Sequence, residues 1–159
     1  MKKTRRTSKL KKIELETVKV DDIILPDRLT EQKLPLFLES VSAGFPSPAE
    51  DYVEGRLDLN DFLIRNPSAT FFVRVTGDSM IDAGIYSGDI LVVDRSLNPK
   101  NSSIVIAVID GELVVKRLGM QKNKLYLLPE NRKYEPIEIT QEMNFEVWGI
   151  VTTVIHSVV

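Results

Sequence analysis

Two side chains in this sequence could together carry out nucleophilic chemistry, Ser79 and Lys116, which stand 37 positions apart. Ser79 lies in Gly77-Asp78-Ser79-Met80, directly after a β-branched and aromatic run. Glycine there lets the chain turn at the end of a strand and present the next side chain outward. A serine in such a turn is either a simple turn hydroxyl or a nucleophile, and a nucleophile needs a base to take its proton. The lone histidine, His156, is near the C-terminus beside an apolar run and reads as an exposed histidine at a strand end. The alternative base is a lysine.

Lys116 stands in Glu112-Leu113-Val114-Val115-Lys116-Arg117-Leu118, just after Asp110-Gly111. Strand alternation puts Val114, Lys116 and Leu118 on one face. If that face is the core side, burial lowers the lysine pKa. Moving it from ~10.4 to ~7 corresponds to roughly 4–5 kcal/mol in favour of the neutral amine. A neutral amine can accept the Ser79 proton and complete a Ser-Lys dyad. An outward Lys116 would instead only solvate the strand. Alternation leaves both orientations open, although Arg117 on the other face forces one charge inward unless both faces are wet.

The elements that must position these groups are mostly strands. Residues 70–76, 89–94, 104–109, 112–118, 124–128, 137–139 and 145–155 form short runs rich in β-branched or aromatic residues. Asp110-Gly111 between two of them is a two-residue hairpin signal. Residues 49–53 and 58–64 read as short helices, the second with Asp58 as N-cap and Asp61 at the third helical position. Ile13-Glu14-Leu15-Glu16 alternates like a short strand. Pro35, Pro46 and Pro48 interrupt the front of the chain and mark Ala43-Gly44-Phe45 as a linker or exposed loop. The expected fold class is mostly β, a compact β-rich domain with short helices and an extended N-terminal arm.

Composition narrows the function. At 43% hydrophobic and 28% charged, the 159 residues suit one domain with a buried core plus tails. No cysteine is present and histidine occurs once, which excludes thiol nucleophiles, disulfides, cysteine zinc sites and multi-histidine metal sites. Cofactors and metals are not expected. Apolar runs are far shorter than the ~20 residues of a membrane span, and no secretory pattern follows the basic start, so a cytoplasmic location is expected. The net charge of −2 conceals seven basic and no acidic residues among the first twelve, against 14 basic and 23 acidic in the rest. That basic head, residues 1–12, reads as a solvated, disordered terminus or as a nucleic-acid contact through Lys2, Lys3, Arg5 and Arg6.

Six ordered blocks carry a resemblance: Phe45-Pro46-Ser47-Pro48-Ala49-Glu50-Asp51-Tyr52-Val53, Asp58-Leu59-Asn60, Pro67-Ser68-Ala69-Thr70, Gly77-Asp78-Ser79-Met80-Ile81-Asp82, Gly88-Asp89-Ile90-Leu91-Val92-Val93-Asp94 and Asp110-Gly111-Glu112-Leu113-Val114-Val115-Lys116. Together they resemble the LexA/UmuD family of self-cleaving serine peptidases, over about three quarters of the chain. The resemblance implies that Ser79 is the nucleophile and Lys116 its general base. It implies that Ala43-Gly44 is the bond cut, which divides the chain into an arm, 1–43, and a β-rich peptidase domain, 44–159. The amides of Asp78 and Ser79 are the implied oxyanion donors. Asp78 and Asp82 then read as turn and surface residues rather than a catalytic carboxylate pair.

The implied setting is the SOS response to DNA damage. A RecA filament on single-stranded DNA would favour the cleavable arrangement, a population shift rather than new catalytic groups. The trimmed homodimer would serve a UmuC-type translesion DNA polymerase. Three competing readings remain: a non-catalytic binding module, a LexA- or phage-repressor-like transcription regulator, and a signal-peptidase-like enzyme. The proline-interrupted stretch before the cut is too short for the three helices of a helix-turn-helix domain, which disfavours the repressor. Lack of a membrane segment disfavours the signal peptidase, and the joint presence of Ser79, Lys116 and Ala43-Gly44 disfavours a module without activity.

Overall fold

β-branched residues lose side-chain freedom in a helix but pack well on a pleated surface, so alternating Val/Ile/Phe runs punctuated by turns build sheet. The computed structural model describes residues 19–24, 33–37 and 53–159. Its strands are β1 (Lys19–Ile24), β2 (Lys33–Phe37), β3 (Val53–Asp58), β4 (Thr70–Thr76), β5 (Ile90–Asp94), β6 (Ile104–Ile109), β7 (Glu112–Gln121), β8 (Lys124–Leu128), β9 (Ile137–Glu138) and β10 (Phe145–Ile155). The helical elements among the described residues are α1 (Leu59–Leu63) and a 3-10 turn at Ile81–Ala83. The fold is mostly β, as the sequence patterning requires.

An antiparallel sheet runs in the order β1-β4-β5-β10-β6-β7-β8-β9, and a bridge between Lys19 and Val114 returns β1 to β7. The first six strands therefore close on themselves, with β8 and β9 extending beyond β7. β2 and β3 form a separate two-stranded ribbon. The β6–β7 hairpin pairs Ile109 with Glu112 across Asp110 and Gly111, at φ 49° and 89°. Two positive φ values identify a type I′ turn, whose twist matches that of the flanking strands.

β7 lies between two apolar clusters. Val115 packs with Phe71, Val73, Met80, Ile85 and Leu91, while Val114 and Leu118 pack with Val105, Ala107 and Leu127. Both faces of β7 are thus covered, and complete burial of each such side chain contributes about 1.5–3 kcal/mol. This explains why a lysine on that strand has no route to water.

Several local expectations change. Asp58 caps α1 as expected, with a β-region backbone, and its carboxylate accepts from Asn60 N at 2.8 Å. Val53, expected to end a helix, opens β3 instead, because pairing with Phe37 holds it extended. β7 continues to Gln121 rather than stopping at Leu118, since β8 gives it a partner as far as Gln121–Lys124. The expected strand at 13–16, the basic residues Lys2, Lys3, Arg5 and Arg6, and Ala43-Gly44 lie outside the described residues. So do residues 49–52 of the expected first helix.

Candidate active site

Ser79 is carried by the turn that leaves β4. Gly77 has φ 93°, a left-handed conformation that a residue with a Cβ adopts only with strain. It reverses the chain so that Asp78 emerges half exposed while Ser79 and Met80 turn inward, both at 0% exposure. The outward presentation expected for this turn therefore applies to Asp78 and not to the serine. Burial of Met80 in the apolar cluster and the 3-10 turn that follows draw Ser79 inward.

Lys116 arrives from β7, paired with Val105 on β6. Its side chain is 2% exposed, and its Nζ lies 2.6 Å from Ser79 Oγ in a hydrogen bond. The inward orientation that alternation left open is the one adopted. Burial lowers its pKa to about 8. Arg117, on the opposite face, escapes the same penalty by forming an ion pair with Glu130 and donating to the Ser102 carbonyl at 2.8 Å.

His156 is elsewhere in hydrogen-bonding terms. Its Nδ1 lies 2.6 Å from the buried carboxylate of Asp89, whose other oxygen accepts from Tyr86 N at 2.8 Å. The exposed, strand-end reading of this histidine stands, with Asp89 as a partner that the sequence did not point to. Asp82 is exposed, and its amide donates to the Glu130 carbonyl at 2.8 Å.

Asp78 does more than occupy a turn. Its carboxylate accepts from the Tyr134 hydroxyl and from Asn131 Nδ2, with Lys133 Nζ at 3.7 Å. The Tyr134 bond is the largest influence holding its carboxyl below the ordinary aspartate range, helped by Lys133 and Asn131 against partial burial. Glu130, Asn131 and Tyr134 went unnoticed in the sequence. Their one signal is a short polar tract between two apolar strands, which ordinarily marks only a loop.

The arrangement can move a proton. A buried amine with a lowered pKa, touching a buried hydroxyl, is the chemical requirement for a serine nucleophile with a lysine base. No group of three or more His, Cys, Asp or Glu suited to a metal occurs among the described residues, and no helix there is long and apolar enough to cross a membrane.

The Peptidase S24-like family pattern matches residues 35–152. Protein SamA of Salmonella typhimurium is 52% identical over 123 residues, covering 77% of this chain and 85% of SamA. Protein ImpA of Escherichia coli is 48% identical over 128 residues, covering 77% and 83%. Protein MucA of Escherichia coli is 44% identical over 127 residues, covering 79% and 84%.

Proposed function

The chain belongs to the peptidase S24-like family, and from that premise we propose that it is an autopeptidase that cuts its own Ala43-Gly44 bond. The observation that carries this reading is the 2.6 Å contact between Lys116 Nζ and Ser79 Oγ, both buried. Lys116 in its neutral form takes the Ser79 proton as Oγ adds to the Ala43 carbonyl carbon. The amides of Asp78 and Ser79 donate hydrogen bonds to the developing oxyanion. Lys116 then returns the proton to the Gly44 nitrogen as the peptide bond breaks, leaving residues 1–43 esterified to Ser79. Water, deprotonated by the same amine, hydrolyses the ester and frees the serine.

The cellular role we assign is SOS mutagenesis. A RecA filament on single-stranded DNA promotes the cut, and the trimmed form, as a homodimer in the cytoplasm, serves a UmuC-type translesion polymerase. Cutting after Ala43 separates an arm with 10 basic and 7 acidic residues from a body with 11 basic and 16 acidic. The arm's DNA contact through Lys2, Lys3, Arg5 and Arg6 is then lost on activation. A salt-dependent DNA affinity that disappears on cleavage supports that role, and an equal affinity before and after removes it.

The test of the activity is intact mass. Full-length protein is incubated at alkaline pH, and separately with RecA, an ATP analogue and single-stranded DNA. Products 1–43 and 44–159 are expected, and Ser79→Ala and Lys116→Ala are each expected to abolish them. Cleavage that persists in Ser79→Ala overturns the mechanism, and an uncut wild type favours a binding module.

A further inference from the structure

The loop after β8 grips the nucleophile turn at several points. Glu130 N donates to the Ser79 carbonyl at 2.8 Å, and Asn131 Nδ2 donates to the Asp78 carbonyl at 2.9 Å. The Asp78 carboxylate is held by the Tyr134 hydroxyl and by the same Asn131 amide. Asn131 is only 7% exposed, and its Oδ1 is fixed by Lys133 N at 3.0 Å. On the other side, the Glu130 carboxylate is ion-paired with Arg117, the neighbour of Lys116 on β7. One short segment thus touches both the serine turn and the lysine strand.

The peptide group is planar, so a carbonyl pinned in one direction fixes the N–H on its opposite side. Pinning the Asp78 carbonyl orients the Ser79 amide, and pinning the Ser79 carbonyl prevents the turn from rotating about it. We propose that residues 130–134 form a positioning strap that sets the Asp78–Ser79 turn against the Lys116 strand and aims the Ser79 amide at the oxyanion. Asn131 and Tyr134 are positioning residues: they act through Asp78. The proposal rests on the autopeptidase reading above and adds residues that neither the serine-lysine spacing nor that reading requires.

The strap predicts a specific kinetic signature. Loss of one oxyanion donor costs roughly 10²–10³ in rate, so misaiming one without deleting it is expected to cost about tenfold. Self-cleavage of the full chain is followed by intact mass from neutral to strongly alkaline pH for wild type, Tyr134→Phe and Asn131→Asp. Tyr134→Phe retains the ring and is the milder variant. The expected result is an alkaline plateau lowered about tenfold, with the midpoint kept at about 8. Mere loosening that lets water reach Lys116 would instead raise the midpoint toward that of an exposed lysine. A Tyr134→Phe plateau equal to wild type, or a raised midpoint, overturns the strap alone. A wild type that stays uncut throughout overturns the autopeptidase reading and the strap with it.

Discussion

Lys116 Nζ and Ser79 Oγ are in hydrogen-bond contact at 2.6 Å, although Ser79 follows the end of β4, Lys116 lies within β7, and the two are separated by 37 positions. Apolar clusters flank β7 on both sides, so this contact is shielded from water. Burial is the cause of the lysine's lowered pKa of about 8. Proton-transfer competence at this site therefore follows from packing, and it can be tested through packing.

Cleavage rate is expected to follow the neutral fraction of Lys116. It rises about tenfold per pH unit below the midpoint and levels off above about 8. Lys116→Arg, whose guanidinium stays protonated, is expected to abolish cleavage at every pH while retaining a cation. A first-order cleavage rate measured by intact mass across pH decides this. A flat profile in wild type, or cutting in the arginine variant, removes Lys116 as base.

The same burial has a cost in stability. Because the folded pKa lies below the unfolded value of 10.5, the unfolded chain binds the extra proton between pH 8 and 10.5, and stability rises with pH across that window. Below about 8 both states are protonated and the folded state bears the whole penalty, on the order of 3 kcal/mol. Lys116→Met, of similar length and apolar, is expected to raise the unfolding free energy at pH 7, with its advantage over wild type shrinking toward pH 10. Urea unfolding of Ser79→Ala against Ser79→Ala/Lys116→Met, which removes cleavage from both samples, provides the measurement.

The sequence exposed the strands of the sheet from β4 onward and the chemical pair, but not β1 or what holds the pair together. β4, β6, β8 and β10 are legible from alternation and turn residues, and Asp110-Gly111 marks its hairpin, because these signals are local. β3 is less legible, since Glu54-Gly55-Arg56 has no apolar alternation and its strand exists through pairing with β2. The inward orientation of Lys116 was undecidable because it depends on Val105, Leu127 and Phe71 covering both faces of β7, all distant in sequence. Asn131 and Tyr134 reach Asp78 across 53 and 56 positions, a relationship no spacing rule encodes.

His156 offers a test of which base serves Ser79. Its hydrogen-bond partner is Asp89, and its ring is tilted against Tyr86 with centroids 5.3 Å apart. His156→Gln keeps a donor toward the Asp89 carboxylate and is expected to leave the cleavage rate within about twofold of wild type, whereas losing a true general base costs roughly 10²–10⁴. Rates of the two proteins at a single alkaline pH suffice, and a loss of a hundredfold would move the base from Lys116 to His156.

Asp94 contributes to the acid limb of stability. It is 4% exposed, and burial would raise its pKa, but three hydrogen bonds outweigh that. Ser96 N and Oγ donate to Oδ1 at 2.7 and 2.6 Å, and Asn66 Nδ2 donates to Oδ2 at 3.0 Å. The folded carboxyl therefore titrates below the ordinary aspartate value of 3.8. Its contribution is fully present above that value and is lost as pH falls through the lower, folded one. Asp94→Ala removes the charged acceptor of three part-buried hydrogen bonds from the exposed residues Ser96 and Asn66, and is expected to cost about 1–3 kcal/mol at neutral pH. The difference from wild type is expected to narrow below pH 4, as the native carboxylate becomes protonated and weakens the same bonds. Urea unfolding at pH 7 and pH 3, on a Ser79→Ala background to prevent cutting, measures both. An equal difference at the two pH values would show that the cost arises from lost packing rather than from the charged hydrogen bonds.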